Sequence, residues 1–217
     1  MFNVQTANLD ATNRHPTVNA FPLLADYVVN NIDVDTASIS TLTEVSGSTF
    51  ANHLDARLPH HTPISNNLRG RDFIVTTYDN NLFVMDTDYG VVVSGMGKFQ
   101  SFRLFGLDGL SYQVIAAHLP HKSGRALARQ LISDHFNDVH DDVHHVIVLG
   151  DFNCQPTPLS GVFDDYLDLS VTEGMLTTAT RAPDNILHTD MDVVGLEVFT
   201  DTVFTHCPIR QTFYFDD

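Results

Sequence analysis

Apolar positions along the chain follow two rhythms, and the switch between them marks the elements. Residues 4–8 read as a first strand, and residues 21–32 place Leu24, Val28 and Ile32 at four-residue intervals, which predicts an amphipathic helix. A buried strand at 37–42 leads into Glu44, and residues 49–58 predict a second short helix. Short apolar runs at 73–77, 82–85, 91–94, 99–105 and 112–117 follow, separated by Asp-Asn-Asn, Asp-Tyr-Gly, Gly-Met-Gly and Asp-Gly turn signals. They predict an antiparallel meander. A helix over 123–139, with Leu127, Leu131 and Phe136 on one face, precedes an apolar strand at 146–149 that ends at Gly150-Asp151. Strands are expected again at 186–188, 193–199 and 209–215. Helices scattered among many short strands predict an α+β fold, a four-layer α/β/β/α sandwich of two mostly antiparallel sheets flanked by helices. Strands at both ends of the chain fit two similar halves, and the loops at one end of such a sandwich are a natural place for a site.

The bulk numbers agree with a packed domain. With 217 residues, 43% of them hydrophobic and 18% charged, the sequence predicts one domain spanning 1–217 with a substantial core. Eleven Lys and Arg face 27 Asp and Glu, a formal charge of −16. That balance opposes a sequence-independent grip on DNA, which works by displacing counterions with basic groups. It leaves room for a nucleic-acid enzyme whose carboxylates are offset by divalent cations. The two cysteines, Cys154 and Cys207, are too few for a disulfide scaffold and read as reduced thiols. No apolar stretch approaches the roughly 20 residues of a membrane span, and the first residues lack the basic and apolar regions of a secretion signal. A cytoplasmic monomer is the expectation.

Polar residues cluster at predicted strand ends. In His145-Val-Ile-Val-Leu-Gly-Asp-Phe-Asn153, a buried strand ends in glycine and then presents Asp151 and Asn153; an ordinary polar turn would look the same. His118 ends the strand before the Ser-Gly-Arg stretch that opens a helix, where an imidazole can donate to a phosphate oxygen. Glu44 follows the second strand, and Asn8 ends the first. Asp184 and His206 lie near the last predicted strands. Lys122, Arg125 and Arg129 fit either a phosphate-gripping patch or a solvated helix face. His60-His61 and His144-His145 lack a partner set at zinc-binding spacing and read as surface histidines.

Singly these segments are modest, but their order is specific. Thr6-Ala-Asn8, Leu42-Thr-Glu-Val45, Ala116-Ala-His-Leu119, Gly150-Asp-Phe-Asn153, Pro183-Asp-Asn-Ile186 and Phe204-Thr-His-Cys-Pro208 run in the order of the motifs of one superfamily. Over nearly its whole length the chain resembles the endonuclease/exonuclease/phosphatase superfamily of metal-dependent phosphoesterases, which includes exonuclease III and deoxyribonuclease-like enzymes. The resemblance implies a Mg²⁺- or Mn²⁺-dependent hydrolase of phosphodiesters, acting on nucleic acid or on a small phosphorylated molecule such as a lipid head group. It implies Glu44 as main metal ligand with Asn8 nearby. Asp151 would align or deprotonate the attacking water beside the metal, and His206, held by Asp184, would meet the phosphate. His118 would be the second phosphate-side histidine, and Asn153 a phosphate and metal-site contact; Arg125, at the start of the next helix, is a further candidate phosphate contact. One departure stands out: the Asp that precedes the final histidine in the family is Thr205 here. That implies weaker or single-metal binding, or a weakened site serving as an interaction module.

Overall fold

The computed structural model describes residues 1–9, 21–45, 47–65, 73–94, 98–121, 124–156, 163, 166–171, 175–200, 202 and 204–215. Two sheets pack face to face. Strands β1 (Phe2–Asn8), β2 (Ile39–Val45), β3 (His61–Ser65), β4 (Phe73–Asp79), β12 (Val193–Val198) and β13 (Ile209–Phe213) form a six-stranded sheet in the order β12-β13-β1-β2-β4-β3. The seven-stranded sheet holds β5 (Phe83–Met85), β6 (Val91–Ser94), β7 (Phe99–Gly106), β8 (Ser111–His118), β9 (His145–Asp151), β10 (Asp168–Leu169) and β11 (Asp184–His188). Its order is β10-β11-β9-β8-β7-β5, with β6 also paired to β7. Helices α1 (Phe21–Asn31) and α2 (Gly47–Asp55) cover the first sheet, and α3 (Arg125–Val139) covers the second. The layers are therefore α/β/β/α, as the patterning predicts.

Alternation along the strands builds three apolar layers. Ala7, Leu42 and Val75 face Leu24, Val28 and Phe50 under α1 and α2; Ile115, Ala117 and Val148 face Ala128, Ile132 and Phe136 of α3. Between the sheets lie Val4, Ile39, Ile74, Phe102, Val114, Leu149 and Ile186. This central layer is graded. At one end Phe2 contacts Phe83, Tyr112 and Phe213 with ring centroids 5.4–5.5 Å apart. Toward the other end the same faces carry hydroxyls and amides. Thr41 and Thr76 hydroxyls meet at 3.0 Å, and Gln100 crosses from the opposite sheet to donate to Thr76 Oγ1 at 2.7 Å. Thr6, Thr43 and Gln100 are fully buried there, and Thr6 Oγ1, Thr43 Oγ1 and Gln100 Oε1 find no partner within the protein.

Several expectations are corrected. The predicted meander does not hold together: β4 pairs with β2 and β3, and the chain then crosses to the other sheet for β5 to β8. On α3 the buried face is Ala128, Ile132, Phe136 and Val139, one residue round from the expected stripe, and Leu127 is 52% exposed. Ser123, the expected start of that helix, lies outside the described residues. His61 and His145 are buried, not surface, residues, and the His61 ring lies 3.0 Å from the Ala37 carbonyl.

Among the described residues each sheet has one parallel pair, β1–β2 and β8–β9, and antiparallel pairs elsewhere. The carboxyl ends of all four parallel strands point to the polar end of the central layer, carrying Asn8, Glu44, His118 and Asp151. The β8–β9 pair closes tightly there. Gly150, at φ +141°, sits opposite Ala117, and a Cβ on it would lie 1.9 Å from the Ala117 carbonyl oxygen. Gly150→Ala should therefore destabilise the fold by roughly 2 kcal/mol or more, through backbone strain and a forced gap between two buried strands. A urea midpoint equal to that of the parent protein would show that the strands do not need this approach.

Candidate active site

The Gly150-Asp151-Phe152-Asn153 segment is built for placement. Asp151 ends β9 and is the register partner of both His118 and Asp184. Phe152, fully buried, anchors the turn in the layer beneath α3. Asn153 takes a left-handed conformation, φ 51°, which asparagine tolerates better than most residues. Its backbone N–H donates to Asp151 Oδ1 at 2.8 Å, an Asx-type turn, and its side-chain Nδ2 donates to the Leu119 carbonyl at 2.7 Å. The side-chain amide nitrogen of Asn153 thus holds the β8–α3 loop.

Glu44 reaches the site through a bulge. Thr43 faces the other sheet and Val45 faces the helices, so simple alternation would turn Glu44 away. The register shifts between Thr43 and Val45, and Glu44 is left-handed, φ 54°. A β-bulge of this kind re-aims a side chain, and Glu44 Oε1 ends 3.0 Å from Asn8 Nδ2. The same Nδ2 donates to Asp151 Oδ2 at 2.8 Å. His118 Nε2 lies 3.5 Å from Glu44 Oε1 and 3.9 Å from Asp151 Oδ2.

A second group shares Asp151. His206 Nδ1 donates to Asp184 Oδ2 at 2.8 Å and lies 3.8 Å from Asp151 Oδ2. The Thr177 hydroxyl donates to the same Asp184 oxygen at 2.9 Å. Among the described residues, two groups of side chains, Glu44–His118–Asp151 and Asp151–Asp184–His206, bring their ligand atoms within 4.8 Å of one another, close enough that each could hold a metal ion.

Burial, together with the charge of Asp184, pushes Asp151 up to about 7, against the pull of His206 and the hydrogen bonds from Asn8 and Asn153. Burial alone would lower His206, but its hydrogen bond to Asp184 and the charges of Asp184, Asp151 and Glu44 prevail and raise it to about 9. The site therefore combines a carboxylate that titrates near neutrality with an imidazolium.

No protein-family model matches the chain, and no curated protein does. Solved structures do match. D. rerio TDP2 complexed with single strand DNA product superposes with a TM-score of 0.77 at 12% identity, over 99% of each chain. Truncated Caenorhabditis elegans TDP2 gives 0.76 at 16% identity, over 98% of this chain and 97% of that one. An endonuclease/exonuclease/phosphatase family protein from Bacteroides thetaiotaomicron gives 0.74 at 15% identity, over 99% and 98%. The chain has the endonuclease/exonuclease/phosphatase fold. Within that fold, Asn8, Glu44, His118, Asp151, Asp184 and His206 are brought together at one end of the sandwich.

Other expected positions lie differently. Arg125 opens α3, and its charge is felt at Cys154, next to Asn153, so it borders the site from the helix side. Arg129 also hydrogen-bonds Cys154. Lys122 lies outside the described residues. Thr205 is exposed. Cys154 and Cys207 are free thiols, and burial raises both. Thr177, which orients Asp184, carries no sequence signal, because a threonine in a Thr-Thr-Ala-Thr run looks like any loop residue.

Both titration shifts bind a proton more tightly in the folded chain than in the unfolded one, so both cost stability as pH rises. The loss for Asp151 sets in above the ordinary carboxylate value of 3.8 and is complete past about 7; that for His206 runs from 6.5 to about 9. The melting temperature of metal-free protein should fall across this whole window. Asp151→Asn should remove the lower part of the slope and keep the upper. A flat profile would contradict the assigned proton-holding groups, and so would a lower slope unchanged in the variant.

Proposed function

We propose that the protein hydrolyses phosphodiester bonds with a divalent cation, and that its substrate is nucleic acid. The observation that carries this reading is the convergence of Asn8, Glu44, Asp151, Asp184 and His206, from both sheets, on one buried polar end. The fold, shared with the TDP2 structure that holds a single-stranded DNA product, supports it.

The donor set suits a divalent cation. Glu44 Oε1 and Asp151 Oδ2 are brought to a common hydrogen-bond donor from opposite sheets, and like charges this close call for a counter-charge. Glu44 and Asp151 would hold the ion. Asn8, with its Nδ2 on both carboxylates, would fix their separation. When bound, Mg²⁺ or Mn²⁺ would stabilise negative charge developing on the phosphoryl oxygens.

The remaining steps belong to the protein's own groups. Asp151 is buried beside the ion's site, where it would align the attacking water and take its proton. Asp184 accepts from Nδ1 of His206, which leaves Nε2 as the donor toward a phosphate oxygen, and the raised titration point keeps that ring cationic. Thr177 holds Asp184 from behind. Arg125, from the start of α3, would contact further phosphates.

A second reading has its own observation. The formal charge of −16 opposes long polyanions and favours a small phosphoester. Turnover of single-stranded DNA, RNA and small phosphodiesters with Mn²⁺ separates the two. On the preferred substrate, Glu44→Gln should lower kcat by at least about a hundredfold, equivalent to roughly 3 kcal/mol of lost charge stabilisation. Near-parental turnover of that variant at saturating metal would remove Glu44 from the reaction.

A further inference from the structure

We propose that the protein binds a small aliphatic amine, as its ammonium ion, in a cleft at the end of the six-stranded sheet opposite the candidate active site. This goes beyond phosphodiester hydrolysis and does not rest on it. The cleft encloses about 280 Å³ between the residues that follow α2, the short 3₁₀ helix Val34–Thr36, the start of β3 and the end of β4. The Asp79 N–H donates to the Ser38 carbonyl at 2.9 Å, which sets the cleft at the start of β2. Glu44 stands toward the other end of that strand, about 20 Å away at roughly 3.3 Å per residue. A cleft of this size lies at the lower limit of small-molecule sites.

The chemistry of the lining selects a donor. Asp79 Oδ1 accepts from the backbone N–H and the side-chain Nδ2 of Asn81, at 2.8 and 3.0 Å. That turn fixes the carboxylate and leaves Oδ2 to accept from a ligand. Asp35, in the 3₁₀ helix, adds an exposed second carboxylate. The Arg57 guanidinium is already engaged, with Nε on Asp26 and Nη1 on the His53 carbonyl at 2.9 Å. His61 Nε2 lies 3.0 Å from the Ala37 carbonyl, which only accepts, so this nitrogen carries the hydrogen and Nδ1 accepts when the ring is neutral.

Two carboxylates with their neighbouring acceptors call for a donor that is also a cation. Among the described residues, no three His, Cys, Asp or Glu ligand atoms in the cleft lie within 4.8 Å of one another, so a single metal ion does not match the spacing. An alkylammonium carries its N–H donors on a chain, and Leu58, 2% exposed, gives the methylenes an apolar floor. The sheet behind the cleft is also polar. Thr77 shares the face of Asp79 on β4, and Ser40 is its register partner on β2. Both are fully buried, and neither hydroxyl has a partner within the protein. The strip of polar side chains thus continues inward from the cleft, where a donor is wanted.

The test uses putrescine as probe on the full chain, by calorimetry and amide NMR at pH 8 in about 0.15 M salt, which screens diffuse attraction to the acidic surface. One saturable site with a Kd below about 1 mM is expected, with shifts at His61, Asp79 and Asn81. Asp79→Asn keeps the oxygen that Asn81 needs and removes the charge. It and Asp35→Asn should each weaken binding at least about fivefold, while Asp134→Asn on α3 leaves it unchanged. Circular dichroism checks that the variants fold. Three outcomes would overturn the proposal: no saturable binding, equal affinity in all the variants, or shifts confined to Asn8, Glu44 and Asp151. Displacement of putrescine from these residues by an equal concentration of Mg²⁺ would overturn it too, by giving the cleft to an inorganic ion. None of these results bears on turnover of phosphodiesters.

Discussion

The two –NH₂ hydrogens of Asn8 stand between a carboxylate of its own sheet and a carboxylate of the other. Every other feature of the site is placed relative to that bridge. It sets how far apart Glu44 and Asp151 can stand. It also joins β1 and β2 to β9 where the central layer offers little apolar contact. The bridge requires Asn8 at the end of β1, Glu44 turned inward by its bulge and Asp151 carried past a glycine; a one-residue slip in any of these strands would send the side chain to the opposite face.

The parallel pairs explain why the chemistry gathers at one end. Two parallel strands deliver their carboxyl ends to the same side, and each sheet has such a pair at its centre. β11 runs antiparallel to β9, so it contributes its first residue, Asp184, instead of its last. His206 precedes β13, antiparallel to β1, and arrives from the same direction. Strands of opposite polarity thus contribute opposite ends to one place.

Much of this was legible in the sequence because buried strands ending in Asn, Glu, His and Gly-Asp are local patterns, and their order is a property of the chain alone. The two-sheet, helix-flanked architecture followed from the same alternation. What stayed hidden depends on partners distant in sequence. β3 contains Pro63 and, among the described residues, is an edge strand paired to β4 alone, so it lacks the apolar run that marks a central strand. The crossing of the chain between sheets after β4 leaves no mark in turn residues. The helix stripe was misread because Leu127, Leu131 and Phe136 do not share a face as closely as Ala128, Ile132 and Phe136, and an alanine is easily passed over as a core residue. Thr177 and the bulge at Glu44 are set by contacts that no short window contains. Thr205, singled out by comparison with motifs, is exposed next to His206 in the chain.

The graded central layer has a mechanical consequence. Rings packed at one end resist separation, since each loses contact area with several others at once. At the opposite end Thr6, Thr43 and Gln100 gain from any solvent that reaches them, because they leave acceptors and donors unmatched. The two sheets are therefore pinned like the covers of a book at its spine, and their easiest excursion is a slight splaying at the fore-edge, where Asn8, Glu44, Asp151 and His206 stand.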